Sequence, residues 1–282
     1  MRLTIVGCTG SMSGPQAAAS SYLLQAVAPD HSGKNRVWNL LFDLGPGAYG
    51  QLWNYIKPTN LDALVLSHLH ADHCADMISL QVFQRWAPCS SGRPLPVFGP
   101  AGLEYRLRQL EGDMEEDFTR EFILREVSET SGAFEVGPFS ITPYLAWHPV
   151  PAFGYRVEGP AGFPTEDTLD NLDSFTCRKR SSFAYTGDTD YCPSIEKMAR
   201  GVDLLLSEAG FLQDELVKGG DSCRGVHMSA EMTGKLAHNA NVGALVGTHI
   251  QPWTDYEQVR KEIRRHWAGE LFLASAGAKH VF

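Results

Sequence analysis

Residues 61 to 77 read LDALVLSHLHADHCADM, and the HLHADH within them sets His68, His70, Asp72 and His73 into six consecutive positions after an apolar run. Imidazole nitrogens and a carboxylate form a hard-to-borderline donor set that suits zinc, manganese or iron. The absence of cysteine from those six positions argues against a structural zinc site. Alternate residues of an extended segment share a face, so His68 and His70 can project to one side just past a strand end. Asp72 and His73 then fall at the turn into the next helix, where they can face a second ion. So short a segment cannot complete two coordination shells, and the other ligands must come from elsewhere. Three positions suit that role. Asp188 in AYTGDTD follows a strand and a glycine, where a carboxylate can bridge two cations, and His148 in LAWHP and His249 in VGTHIQP sit at strand ends. In open α/β architectures strand ends are where ligands gather.

The elements that must position these groups follow from the pattern of the chain. Strand-like runs at RLTIVG, SSYLLQAV, VWNLLFDLG and DALVLS fill the first third, each closed by a glycine, a proline or a polar turn residue. CADMISLQVFQRW and AGLEYRLRQLEG carry apolar residues at helical spacing, and an acidic, partly helical stretch is expected to follow to about Glu129. Strands resume at FSITPYLAWH, AFGYRVEG, SFAYTGD and VDLLLSEAG, before a helix–strand–helix–strand ending. Two strand-rich halves, each ending with helices, predict an α/β fold of two sheets face to face with helices outside: a four-layered αββα sandwich. We expect one domain over residues 1–282, with a surface loop inserted at 159–181.

Composition bounds the partners. The chain has 282 residues, 43% of them hydrophobic, enough for a sizeable core. A formal charge of −9 gives no overall field to draw nucleic acid or an anionic membrane. No apolar run has the length of a membrane span, and the start moves straight into a strand, which predicts a cytoplasmic protein. Six scattered cysteines without a CxxC pair predict reduced thiols.

The segments SHLHADH, AWHPVPAFGYRV, YTGDTD, LLLSEAGF, HMSAEMTGKLA and VGTHIQP occur in the order seen in the metallo-β-lactamase superfamily, and the chain resembles its ribonuclease Z-like branch. Within that branch it is most similar to actinobacterial cyclic-nucleotide phosphodiesterases, which share the opening GCxGSxxGP turn; the likeness runs from Leu3 to about Trp253. It implies two divalent ions, zinc first and manganese as an alternative. His68, His70 and His148 would hold one, Asp72, His73 and His249 the other, with Asp188 between them. A water or hydroxide shared by the ions would be the nucleophile, and Asp72 could accept its proton. The branch also implies that His227 of HMSAE protonates the leaving oxygen, with Glu208 of LSEAGF as its orienting carboxylate.

The implied substrate is a 3′,5′-cyclic nucleotide, cyclic AMP before others, and relatives of this kind are commonly homodimers, with residues 100–129 a plausible interface. Two alternatives stand beside it. A tRNA 3′-processing endonuclease would carry a basic arm, whereas the insertion between Glu158 and Ser182 is acidic over much of its length and would repel a phosphate backbone. A non-catalytic cyclic-nucleotide sensor would lack a ligand, and none is missing. Di-iron redox relatives replace the second histidine of the motif by glutamate, and His70 argues against them. Blander readings hold for other residues: His238 and His266 lie in predicted helices, His31 and His280 have no motif, and the run from Arg178 to Arg180 reads as a solvated loop end. The glycines of GCTGSMSGP fit an anion-cradling loop and a tight turn equally well. Phe153, Tyr155 and Trp253 could line a pocket or belong to a core.

Overall fold

A computed structural model describes the chain apart from Ser91, Asp170, Asp173, Ser174, Thr176, Arg178 and residues 220–223, so the expectations attached to Arg178 and Cys223 lie outside the described residues. The strands are β1 (Arg2–Thr9), β2 (Ala18–Ala19), β3 (Ser21–Pro29), β4 (Asn35–Phe42), β5 (Ala63–Val65), β6 (Leu95–Gly99), β7 (Phe122–Glu126), β8 (Phe134–Val136), β9 (Phe139–Leu145), β10 (Phe153–Pro160), β11 (Arg180–Tyr185), β12 (Leu204–Glu208), β13 (Ala244–Thr248), β14 (Glu270–Leu273) and β15 (Lys279–Val281). The helices are α1 (Ala48–Leu52), α2 (Ala71–Cys74), α3 (Met77–Trp86), α4 (Leu103–Glu111), α5 (Pro193–Ala199), α6 (Gln213–Gly219), α7 (Ala230–Asn239) and α8 (Tyr256–Arg264). Among the described residues one sheet runs β15-β1-β3-β4-β5-β6-β7, with β2 against β1, and the other β14-β13-β12-β11-β10-β9-β8.

Strand alternation explains the layering. Leu3 and Ile5 point between the sheets, where they join Leu24, Leu40 and Phe42 and meet Tyr155, Val157, Phe183 and Leu206 of the second sheet. Val6, Leu23, Leu41 and Leu64 face the other way and bury Leu52, Leu80, Phe83 and Leu107 of α1, α3 and α4. On the far side Ala184, Leu205 and Leu245 pack under Ile195 of α5, Leu236 of α7 and Ile263 of α8. Each such aliphatic side chain contributes about 1.5–3 kcal/mol when fully buried. The architecture is the αββα sandwich read from the sequence. Strands β4 to β7 run parallel, as do β11 to β14, so their carboxyl ends supply a row of loops.

Three expectations need correction or placing. The acidic stretch beyond α4 does not continue as helix: Gly112 takes a left-handed conformation (φ 84°) that stops α4. Phe122–Glu126 then joins β6 as the edge strand β7. Glu116 and Glu121 instead grip Arg85 of α3, at 2.8 and 2.7 Å. Residues 161–179 join β10 to β11, with Pro160 opposite Arg180. Asn35 Nδ2 donates to the carbonyls of Leu172 and Phe175, both at 3.0 Å, and the Arg2 guanidinium lies 4.0 Å over the Phe163 ring. Those contacts set the described part of the insertion against the amino ends of β1 and β4. Phe153 and Tyr155 belong to the core between the sheets, not to a pocket, and the Tyr155 hydroxyl donates to the Leu66 carbonyl at 2.8 Å. Trp253 is exposed at the surface. No helix among the described residues is long and apolar enough to cross a membrane.

Candidate metal centre

Beyond β5 the chain bends at Ser67, passes through His68 and enters α2 after His70, which puts Asp72 and His73 in the first turn of that helix. His148 follows β9, Asp188 follows β11, Glu208 ends β12 and His249 follows β13. His249 adopts φ 58°, and its carbonyl is crowded by two glycines: a Cβ at Gly10 or Gly210 would lie 2.3 or 2.2 Å from it. Close approach thus accounts for Gly10 in the GCTGSMSGP turn, whose Ser11 N–H points at His249 Nε2 from 3.3 Å.

All seven predicted ligands come together, in two groups: His68, His70 and His148, and Asp72, His73, Asp188 and His249. In the first, His70 Nδ1 lies 3.0 Å from His68 Nε2 and 3.1 Å from His148 Nε2. The surroundings set the tautomers. His148 Nδ1 donates to the Val226 carbonyl at 2.7 Å, leaving a lone pair on Nε2. Ser67 Oγ donates to Asp43 Oδ2 (2.8 Å), so it accepts from His68 Nδ1 (3.1 Å) and leaves the His68 Nε2 lone pair inward as well. Burial, above all, lowers the pKa values of all three, that of His148 to about 4, which keeps them neutral and able to ligate. Lone pairs converging at such distances fit a common cation and not a set of mutual hydrogen bonds.

The second group makes the same point with charge. His73 Nδ1 donates to Asp43 Oδ2 at 2.7 Å, which turns Nε2 toward Asp72 Oδ2 and Asp188 Oδ1, each 3.3 Å away. His249 Nε2 lies 3.3 Å from Asp72 Oδ2 and from Asp188 Oδ2. His73 Nε2 and Asp188 Oδ1 are buried yet make no hydrogen bond of proper geometry. Burial alone would lower the His73 pKa, but the Asp188 and Asp43 carboxylates raise it well above the usual value. The half-buried Asp72 and buried Asp188 carboxylates thus call for positive charge at Nε2, which a metal ion can supply in place of a proton. Burial pushes the Asp72 and Asp188 carboxyls up, but the adjoining imidazoles outweigh it and hold both below the usual carboxylate range, as the ligating form requires. Asp188 Oδ2 also stands 3.8 Å from His68 Nε2, between the two groups. The residues therefore fit a pair of divalent ions.

His227 and Glu208 also meet. His227 Nδ1 is 2.9 Å from Glu208 Oε2, and its ring centroid lies 5.5 Å from those of both His148 and His249. Burial alone would lower the His227 pKa, but the Glu208 charge and hydrogen bond raise it to about 9. Glu208 Oε1 in turn accepts from the Thr189 N–H, so the carboxylate is fixed at both oxygens.

The sequence reading missed the residues behind the ligands. Asp43, at 0% exposure, accepts from Ser67 N–H (2.7 Å), Ser67 Oγ, His73 Nδ1 and the Tyr185 hydroxyl (2.6 Å). One signal pointed to it: Asp43 in LLFDLG ends an apolar strand as the ligands do. Tyr185 gives none, because in sequence it is one more core aromatic. The predicted histidines without a motif stay apart from the site; His266 is 3.5 Å from Glu231, and His280 packs on Phe272.

Comparison with known proteins agrees with this geometry. Residues 38–250 match the family described as the beta-lactamase superfamily domain. An uncharacterized protein of Mycobacterium tuberculosis is 32% identical over 274 residues, 96% of this chain and 88% of its own. The probable metallo-hydrolase YhfI of Bacillus subtilis is 29% identical and covers 98% of both chains. In its crystal structure, superposed over 99% of this chain and 98% of that one, the TM-score is 0.77 at 25% identity. A ribonuclease Z of Nocardia farcinica is 28% identical over 87% of this chain and 90% of its own. The chain belongs to the β-lactamase superfamily, in its ribonuclease Z-like branch of metal-dependent hydrolases.

Proposed function

We propose that the protein is a phosphodiesterase acting on 3′,5′-cyclic nucleotides, cyclic AMP among them, with two divalent ions held by the seven ligands. One observation carries the reading: the two ligand groups adjoin a histidine–carboxylate pair, and that histidine lines a pocket of about 620 Å³, the size of a small-molecule site. The mixed nitrogen and carboxylate donors suit Zn²⁺ first and Mn²⁺ second. Bound there, the ions would lower the pKa of a water and neutralise charge gathering at phosphorus.

The chain's own groups supply the rest. A water oxygen forms the new bond to phosphorus, the bond to O3′ breaks, Asp72 takes up the water's proton and His227 delivers one to O3′, giving a 5′-monophosphate. Glu208 fixes the His227 tautomer so that Nδ1 is engaged and Nε2 is turned to the leaving oxygen. His148 and Asp188, placed just beyond strand ends, would hold the ions in fixed positions beside His227.

The relative named ribonuclease Z favours a second reading, tRNA 3′-end cleavage. Both are tested by measuring turnover of 3′,5′-cyclic AMP beside a 3′-extended tRNA precursor with protein of counted metal content. Cyclic AMP hydrolysis that is lost on chelation supports the proposal. Cleavage of the tRNA precursor alone overturns it.

A further inference from the structure

His227 also lines a pocket formed with residues of α6 and α7, and neither His148 nor His249 is among the residues of that lining. A leaving oxygen protonated by His227 emerges at its inner wall. The pocket is then the space next to His227 into which the group carried by that oxygen can extend. Its volume, about 620 Å³, admits a nucleoside and lies within the range of sites that enclose a small ligand.

The lining has two characters. Leu216 and Val217 of α6 and Met232 of α7 make an apolar wall suited to the face of a base. Arg224 also lines the pocket; its guanidinium lies 5.5 Å over the Trp147 indole and has no ion-pair partner among the described residues, so the lining includes a flat cationic group. Gln213, Lys235 and Asn239 add polar groups from the same two helices, and Asp190 adds a carboxylate buried at 6% exposure. Oδ1 accepts the Tyr191 N–H at 2.6 Å and Oδ2 the Gly225 N–H at 2.9 Å. Each carboxylate oxygen can accept a second hydrogen bond. An acceptor-only group repels a further phosphate and selects a hydroxyl donor.

We infer that this pocket is the nucleoside subsite and that Asp190 determines specificity for ribose by accepting a hydrogen bond from the 2′-hydroxyl beside the scissile P–O3′ bond. The inference rests on the cyclic-nucleotide reading. A site built to bond a substrate hydroxyl discriminates strongly against the analogue that lacks it, because its own buried polar group is then left unpaired.

The test compares kcat/KM for cyclic AMP, 2′-deoxy cyclic AMP and the nucleoside-free diester bis(p-nitrophenyl) phosphate, in the native protein, Asp190→Asn and Val217→Trp. Native protein should prefer cyclic AMP over its deoxy analogue by about tenfold or more, and Asp190→Asn should bring that ratio toward one. A purely structural role for Asp190 would lower both rates alike and leave the ratio unchanged. Val217→Trp, at an exposed position that does not threaten folding, should lower the ratio of cyclic AMP to nucleoside-free turnover about tenfold or more and weaken 5′-AMP binding measured by calorimetry. Cyclic AMP hydrolysis with both ratios and 5′-AMP affinity unchanged would overturn the subsite while the phosphodiesterase reading stands. Hydrolysis of the nucleoside-free diester without any turnover of a cyclic nucleotide would remove that reading and the subsite with it.

Discussion

Replacing Asp43 by asparagine tests the tautomer argument on which the second ligand group depends. The carboxylate receives four donors, and three of them, His73 Nδ1, Ser67 Oγ and the Tyr185 hydroxyl, converge on Oδ2 at 2.7, 2.8 and 2.6 Å. Asparagine can be placed in two ways. With its oxygen kept on the Ser67 N–H, its amide hydrogens face His73 Nδ1, and the imidazole must move its proton to Nε2, between Asp72 and Asp188. With its oxygen turned to His73, its amide faces the Ser67 N–H, and a buried donor goes unpaired at a cost of about 1–3 kcal/mol. Either arrangement weakens the metal site, and carboxylates behind a ligating histidine typically govern 10–100-fold in metal affinity, or about 1.4–2.8 kcal/mol. The assay is a titration with Zn²⁺ under buffered free metal, beside thermal melting of the chelated protein. We expect one of two equivalents to weaken by at least tenfold while the other persists. Two equivalents held at native affinity, with an unchanged melting temperature, would refute the claim that Asp43 sets the His73 tautomer.

Other substitutions separate roles within the site. His227→Ala should lower turnover about 10²–10⁴-fold with metal content intact, read by elemental analysis beside initial rates; lost metal would make His227 a ligand. Asp72→Ala should lose both turnover and part of the metal. Gly10→Ala places a methyl 2.3 Å from the His249 carbonyl and should cost about 1–3 kcal/mol in a denaturant melt, together with metal affinity on the His249 side. Removing metal with a chelator should lower the melting temperature, since the native state alone presents the assembled ligands. Lys235 and Arg265 hold the Glu231 carboxyl near 2. With its folded pKa below the unfolded value, it contributes stability above about pH 4.5 that fades as pH falls toward 2. Glu231→Gln should therefore destabilise by up to about 1 kcal/mol at neutral pH and match the native protein near pH 2.

The ligands were legible because His68, His148, Asp188 and His249 follow strands whose apolar runs are unmistakable, while His70, Asp72 and His73 complete the dense motif at the turn into α2. The two-sheet architecture was legible for the same reason: alternation over RLTIVG or FSITPYL assigns faces without any knowledge of partners. Three things resisted. The edge strand β7 hides in an acidic stretch whose charges resemble a helix surface; only the fold reveals that Glu116 and Glu121 are engaged by Arg85. Phe153 and Tyr155 could not be divided between pocket and core, since aromatic residues near a site serve either, and the inter-sheet packing decides. Asp43 was passed over because its carboxylate acts on a histidine 30 positions away, a relation that no local spacing encodes.

This division has a physical basis. The ligands stand at the carboxyl ends of strands, and their tautomers are fixed by groups sunk in the sandwich: Asp43 at 0% exposure, Ser67 and the Tyr185 hydroxyl. A rigid interior permits little variation, so the chemistry is written as a short, dense motif. The pocket beyond His227 is built otherwise, from one face of α6 (Gln213, Leu216 and Val217), one face of α7 (Met232, Lys235 and Asn239), the turn at Arg224 and the Asp190–Tyr191 loop. Helix faces and turns can exchange those side chains without disturbing His68, His73 or Asp188. Metal binding is consequently recorded in HLHADH, whereas the substrate choice proposed for Asp190 and Val217 would rest on residues whose proximity appears only when the chain is folded.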